Sequence, residues 1–163
     1  MTSPPLRLWF HAEGRLTHAP TVWVELPDGR PHARFHRRRT AGGQPRWDWL
    51  GGDLPDFSVE LEPQGTSYLV TGPHGAPFGR IREHGLLVPR LTATDAHRER
   101  FTIELDGRLL AASGTRGPLG EVTMRDSGDL QLQLPPTRDD TLRTLLMAAP
   151  LCHVNQVLLL QAA

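Results

Sequence analysis

The stretch that decides the fold runs Asp129-Leu-Gln-Leu-Gln-Leu134, then Pro135-Pro136-Thr137, then Arg138-Asp-Asp-Thr-Leu-Arg-Thr-Leu-Leu-Met-Ala-Ala149-Pro150 and on through Leu160. The first part alternates apolar and polar residues with the period of a half-buried strand. The last part is almost wholly apolar. Thr137 suits an N-cap, and Asp139 and Asp140 place carboxylates where a helix dipole favours them, so the spacing predicts a helix starting near Arg138. Pro150 lacks a backbone donor and is expected to kink or end that helix. Leu151 to Leu160 then continues as helix or as a last strand.

Everything before Pro135 reads as short strands. Val22, Val24 and Leu26 alternate with Trp23 and Glu25; Phe57, Val59 and Leu61 with Ser58, Glu60 and Glu62; Phe101, Ile103 and Leu105 with Thr102 and Glu104. Further strands are expected at Leu6 to His11, His32 to Arg38, Arg46 to Leu50, Ser67 to Thr71, Phe78 to Glu83, Leu86 to Leu91, Arg108 to Ala112, Leu119 to Met124 and Leu130 to Leu134, about twelve in all. Pro27-Asp28-Gly29, Gly42-Gly43, Gly51-Gly52-Asp53, Asp106-Gly107 and Ser127-Gly128 supply turn chemistry between them. A weak internal echo links Gly75-Ala-Pro-Phe-Gly-Arg-Ile81 with Gly117-Pro-Leu-Gly-Glu-Val122.

So many strands in 163 residues would expose long edges if laid flat. The terminal segment, apolar on all sides, needs burial on all sides. Both demands are met by one domain, a closed antiparallel barrel of about twelve strands around a C-terminal hydrophobic helix. A membrane anchor fits the length of Leu142 to Leu160, but Arg143, His153, Asn155, Gln156 and Pro150 make insertion costly, so no transmembrane span is expected.

A helix trapped by a β-barrel resembles the tubby C-terminal-like superfamily, which includes tubby domains, phospholipid scramblases and LURP-one-related proteins. The residues that carry the resemblance are Leu130-Gln-Leu-Gln-Leu-Pro135 with Asp140-Thr-Leu-Arg-Thr-Leu-Leu-Met-Ala-Ala149, helped by Pro77-Phe-Gly-Arg-Ile81 and Pro118-Leu-Gly-Glu-Val122, across roughly residues 21 to 160. The resemblance implies the fold. It does not imply scramblase activity, because the acidic calcium-binding segment, the cysteine cluster and the proline-rich N-terminal extension of scramblases are missing from the sequence. Tubby domains bind phosphoinositide headgroups through basic residues, which turns attention to the basic run of this chain.

That run is Arg34-Phe35-His36-Arg37-Arg38-Arg39. Guanidinium groups suit bidentate contact with phosphate, and Arg34, Arg37, Arg38 and Arg39 are the candidate ligands for an anion. On an extended strand Arg37 and Arg39 face one side while His36 and Arg38 face the other. The plainer explanation of the run is a solvated strand end that protects a sheet edge by charge. Nucleic acid would need Trp47 and Trp49 as stacking platforms, and the balance of 18 basic against 18 acidic residues gives no global field to attract it. Nucleic acid is therefore an unfavoured partner; an anionic lipid headgroup or a protein is the expected one.

No phosphate loop, nucleophile elbow or His-Glu metal motif is present, and Ser113 lacks the preceding glycine of an elbow. His32 and His36 have the spacing of helical metal ligands, but Pro31 and the alternation around them indicate a strand. No metal and no cofactor is expected. Cys152 is the single cysteine, so neither an internal disulfide nor a multi-cysteine site can form, and a buried inert thiol is expected. The N-terminal residues lack a signal-peptide pattern, which predicts a cytoplasmic, membrane-peripheral setting. The sequence thus favours a non-enzymatic tubby-like or LURP-one-related barrel that binds an anionic ligand or lipid headgroup or acts as an adaptor. A small-molecule barrel with an interior pocket, and an enzyme of unknown reaction, are the alternatives.

Overall fold

The computed structural model describes residues 6–13, 21–62, 67–72, 75–84, 90–96, 99–104, 108–111, 118–124, 130–134 and 139–162. The protein is mainly β, an antiparallel meander sheet with one C-terminal helix packed on it. The strands are β1 (Leu6–Glu13), β2 (Thr21–Glu25), β3 (Pro31–Arg39), β4 (Pro45–Gly51), β5 (Ser58–Leu61), β6 (Ser67–Thr71), β7 (Pro77–His84), β8 (Arg90–Asp95), β9 (Glu99–Glu104), β10 (Arg108–Ala111), β11 (Pro118–Met124) and β12 (Leu130–Leu134). Helix α1 spans Asp140–Ala162.

Each strand from β2 to β11 pairs antiparallel with the strand before it and the strand after it. In addition β1 pairs with β12, with Leu6 opposite Leu134 and Phe10 opposite Leu130. Turn chemistry sets the hairpins that frame the basic strand. Gly29 adopts φ 85° and its amide donates to the Leu26 carbonyl at 2.9 Å, closing β2 onto β3. The Thr40 hydroxyl accepts from the Gln44 amide at 3.2 Å and closes β3 onto β4.

Alternation decides which side of the sheet is the core. Leu8, Phe10, Val22, Val24, Ala33, Phe35, Trp47, Trp49, Val59, Val70, Ile81, Leu91, Ala93, Phe101, Ile103, Leu130 and Leu132 are all buried. On β3 to β5 the core is aromatic: the Phe35 and Trp49 rings meet edge to face at 5.1 Å, and Trp49 stacks on Phe57 at 5.2 Å. On α1 every residue from Thr144 to Cys152 is buried, and the helix packs chiefly on β7, β1 and β8. Gly79 permits two close approaches at once, because a Cβ there would collide with the Thr94 carbonyl oxygen of β8 and crowd Leu145 Cδ2 of the helix at 3.1 Å.

The structure corrects several expectations. The helix begins at Asp140 rather than near Arg138, and Asp139 caps it: its Oδ1 accepts from the Leu142 amide at 3.1 Å and its carbonyl from the Arg143 amide at 2.9 Å. Thr137 lies outside the described residues. Of the two courses open after Pro150, helix or a last strand, the structure takes the helix, which continues to Ala162. A proline in a helix interior costs about 3 kcal/mol, and here it sits in the midst of buried neighbours, where packing outweighs one lost hydrogen bond. Strand β8 runs on to Asp95, whereas the sequence predicts a strand at Leu86 to Leu91. Its second half, Thr92-Ala93-Thr94, has too little hydrophobic contrast to announce itself. Residues 85 to 89 lie outside the described residues, as do Leu105 and Ser113. Among the described residues no helix is long and apolar enough to cross a membrane.

Candidate functional site

Ala33 and Phe35 face the core, so the even-numbered residues of β3 face outward: Arg34, His36 and Arg38 are all exposed. Arg37 follows Phe35 on the core-facing parity and is half-buried; burial lowers the pKa of its guanidinium, and Arg39 adds to the effect. Arg39 is exposed at the end of the strand, opposite Pro45. The run is thus divided between two faces, as the alternation predicts. It is one column of two arginines and a histidine, with Arg37 and Arg39 turned the other way.

The neighbours of the column come from register. Arg34 lies opposite Trp23 on β2 and Leu50 on β4, and its guanidinium carbon sits 5.9 Å from the Trp23 ring centre, a cation–π geometry. Leu50, 38% exposed, is the only large hydrophobic residue classed as exposed among the described residues. Arg38 faces Arg46 across the ladder, a like-charge pair that would repel were it not for Asp48. Asp48 Oδ2 accepts from Arg38 Nε at 2.6 Å, and Oδ1 accepts from Arg46 Nε at 3.3 Å and from Ser58 Oγ at 2.7 Å. Two cations share one carboxylate, while Arg34 and Arg39 have no carboxylate partner among the described residues. On the next strand Glu60 lies opposite Arg46, so the charge left without a carboxylate neighbour among the described residues is that of Arg34 and of Arg39 at the strand end.

Sequence reasoning missed Trp23, Arg46 and Asp48. Their signals were there: Trp23 occupies a polar position of the Val22–Val24 alternation, and Arg46 and Asp48 flank the core-facing Trp47. The proposed stacking platforms do not exist on the surface, because Trp47 and Trp49 are each 1% exposed within the core. His32 and His36 are on a strand, and among the described residues no group of three or more His, Cys, Asp or Glu could hold a metal ion.

A second cluster sits where α1 begins. Arg100 donates to Asp95 at 2.7 Å and to Asp139, and Arg143 pairs with Asp53 and with Asp140 at 3.2 Å. The Arg100 and Asp95 side chains are only 13% and 10% exposed, so this pair is well shielded from water. The Asp95 hydrogen bond raises the Arg100 pKa. The Leu142 amide holds Asp139 below its usual carboxylate range, and the Arg143 hydrogen bond does the same for Asp53. Asp139 and Asp140 diverge to different arginines: Asp139 ties the start of the helix to Arg100 of β9, whereas Asp140 pairs within the helix with Arg143, which itself ties the helix to Asp53 after β4. Cys152 is fully buried, and burial, reinforced by the charge of Glu83, pushes its thiol well above the ordinary value. It holds no thiolate nucleophile near neutral pH.

No protein-family model matches the chain. No curated protein matches it in sequence.

Proposed function

We propose that the protein is a closed antiparallel barrel of the tubby C-terminal-like kind, wrapped around α1, and that it binds an anionic group on the outer face of β3 without catalysing a reaction. Closure is supported by the pairing of β1 with both β2 and β12, which gives every strand two partners, and by the burial of α1 from Thr144 to Cys152. The proposed family rests on the order of strands followed by a terminal apolar helix.

The observation that carries the anion site is Arg34: exposed, laid on Trp23 and free of any carboxylate partner among the described residues. A guanidinium fixed over an indole loses less rotamer freedom on binding than a mobile one. His36 and Arg38 extend the same column, and Arg39 adds charge at its end. Arg37, turned toward the core, is not a contact in this reading. The ligand chemistry is a phosphate, whether on a lipid headgroup at a cytoplasmic membrane surface or on a protein partner. A ligand in the interior has less support, because helix and aromatic side chains occupy the core side of the sheet.

Pelleting with vesicles of phosphatidylcholine alone and with added phosphatidylinositol bisphosphate tests this. Binding that requires the anionic lipid and falls at least tenfold in the Arg34→Gln/Arg38→Gln variant supports it. Equal pelleting of the variant and the wild type removes the β3 face from the account.

A further inference from the structure

The echo between Pro77-Phe-Gly-Arg-Ile81 and Pro118-Leu-Gly-Glu-Val122 has a structural counterpart. Each segment opens a strand with proline, and in each case the partner strand shifts register opposite it, between Val70 and Thr71 before β7 and between Leu109 and Leu110 before β11. Proline has no amide to give to the ladder, so an irregularity opposite it is the expected response. The β7–β8 ladder is regular, and a second register shift lies one strand further on, between β8 and β9 at Ala93 and Thr94. Two irregular ladders thus flank the regular β7–β8 pair.

Between them the outer surface is hollowed into a groove of about 190 Å³. Its floor is the bare backbone of Gly79, pressed against β8. Leu69, Pro77 and Phe78 give it apolar walls. Arg80 lies opposite both Leu69 and Thr94 in the cross-strand row. Arg80 uses its Nε on Glu62 at 2.9 Å, and among the described residues its two terminal nitrogens and the Thr94 hydroxyl have no hydrogen-bond partner. The one carboxylate of the lining, Asp95, is 10% exposed and gripped by Arg100. The polar groups the groove offers are therefore donors beside apolar walls.

We propose that this groove binds a small carboxylic acid with a compact apolar body. The carboxylate takes the terminal nitrogens of Arg80 and the Thr94 hydroxyl, and the body lies on Phe78 and Leu69. At the echo site the position of Arg80 is held by Glu121, so the same backbone device there lacks the cation. The site is separate from the β3 column.

The test is amide-resolved NMR titration of the full chain with phenylacetate and with its neutral counterpart phenylacetamide. The acid is expected to shift the amides of Gly79, Arg80 and Ala96 and to bind about tenfold more tightly than the amide, as a charge-assisted contact implies. Arg80→Met is expected to abolish that preference, whereas Glu62→Gln, which frees Nε and keeps the guanidinium, retains it. Equal binding of acid and amide, shifts elsewhere on the sheet, or an acid preference that survives Arg80→Met overturns the proposal. Should Arg80→Met fail to melt cooperatively, the acid-to-amide ratio in the wild type and in Glu62→Gln decides. Loss of binding in Arg34→Gln/Arg38→Gln would place the acid on β3 and overturn it as well.

Discussion

Strands β3 and β4, with the residue just before β5, fill the core side of the sheet with Phe35, Trp47, Trp49 and Phe57, whereas β7 and β8 reduce it to Gly79, Ile81, Leu91 and Ala93. The helix explains the difference, since it packs on β7 and β8 among others and needs close backbone approach there. On the other side rings supply the volume that the helix does not. The same apolar interior is therefore held by bulk in one place and by the absence of bulk in another, and the two places should fail differently.

Removing the helix is the strongest way to break that comparison. A chain ending at Pro136 is expected to lose its cooperative thermal melt, because Leu145, Leu146 and Leu151 are each at most 1% exposed and each such burial is worth about 1.5–3 kcal/mol. A retained cooperative melt would mean that the sheet has a core of its own. Next in size is Trp49→Ala on the aromatic side, expected to cost about 3–5 kcal/mol in chemical denaturation. Its indole also leans on Gly52, where a Cβ would come within 2.9 Å of Cζ2. Gly79→Ala on the helix side is expected to cost about 1–3 kcal/mol by overpacking rather than by a cavity. The two are separable by a second substitution: Leu145→Ala should recover part of the Gly79→Ala loss and none of the Trp49→Ala loss, and equal effects would deny that the helix imposes the glycine.

Acidity sharpens the same contrast. Burial depresses the His153 pKa from 6.5, and hydrogen bonds depress Asp53 and Asp139 from 3.8. In all three the unfolded state binds protons more readily than the folded one, so their contribution is present above the unfolded value and is lost as pH falls toward the folded value. Stability is expected to decline first below about pH 6.5 through His153, then again below about pH 4 through the carboxylates. Thermal melts of His153→Gln across this range should lack the first decline; a decline of unchanged size assigns it to another group. The smallest effect expected is Arg143→Met, roughly 0–1 kcal/mol, since Asp53 and Asp140 are largely exposed and water already screens them.

The strands with strong contrast were legible in the sequence: Val22 to Leu26, Phe101 to Ile103 and Leu130 to Leu134 match the structure closely. β8 was legible only in part, because alanine and threonine alternate with little difference in hydrophobicity. The helix was legible, but whether it continues past Pro150 or gives way to a strand was not, since that depends on tertiary packing around the proline. The division of Arg34 to Arg39 between two faces followed from alternation. That Asp48 would be shared by Arg38 and Arg46 did not, because register across two hairpins decides it. The groove at Gly79 left a trace only as an echo whose meaning lies in hydrogen-bond geometry.

Helix α1 follows all twelve described strands along the chain. Translation at roughly 5–20 residues per second adds its 23 residues over a few seconds, during which every strand already exists and the element that packs on its apolar side does not. Nascent chains stalled just before Asp139 should therefore recruit holdase chaperones more strongly than chains stalled well past Ala162.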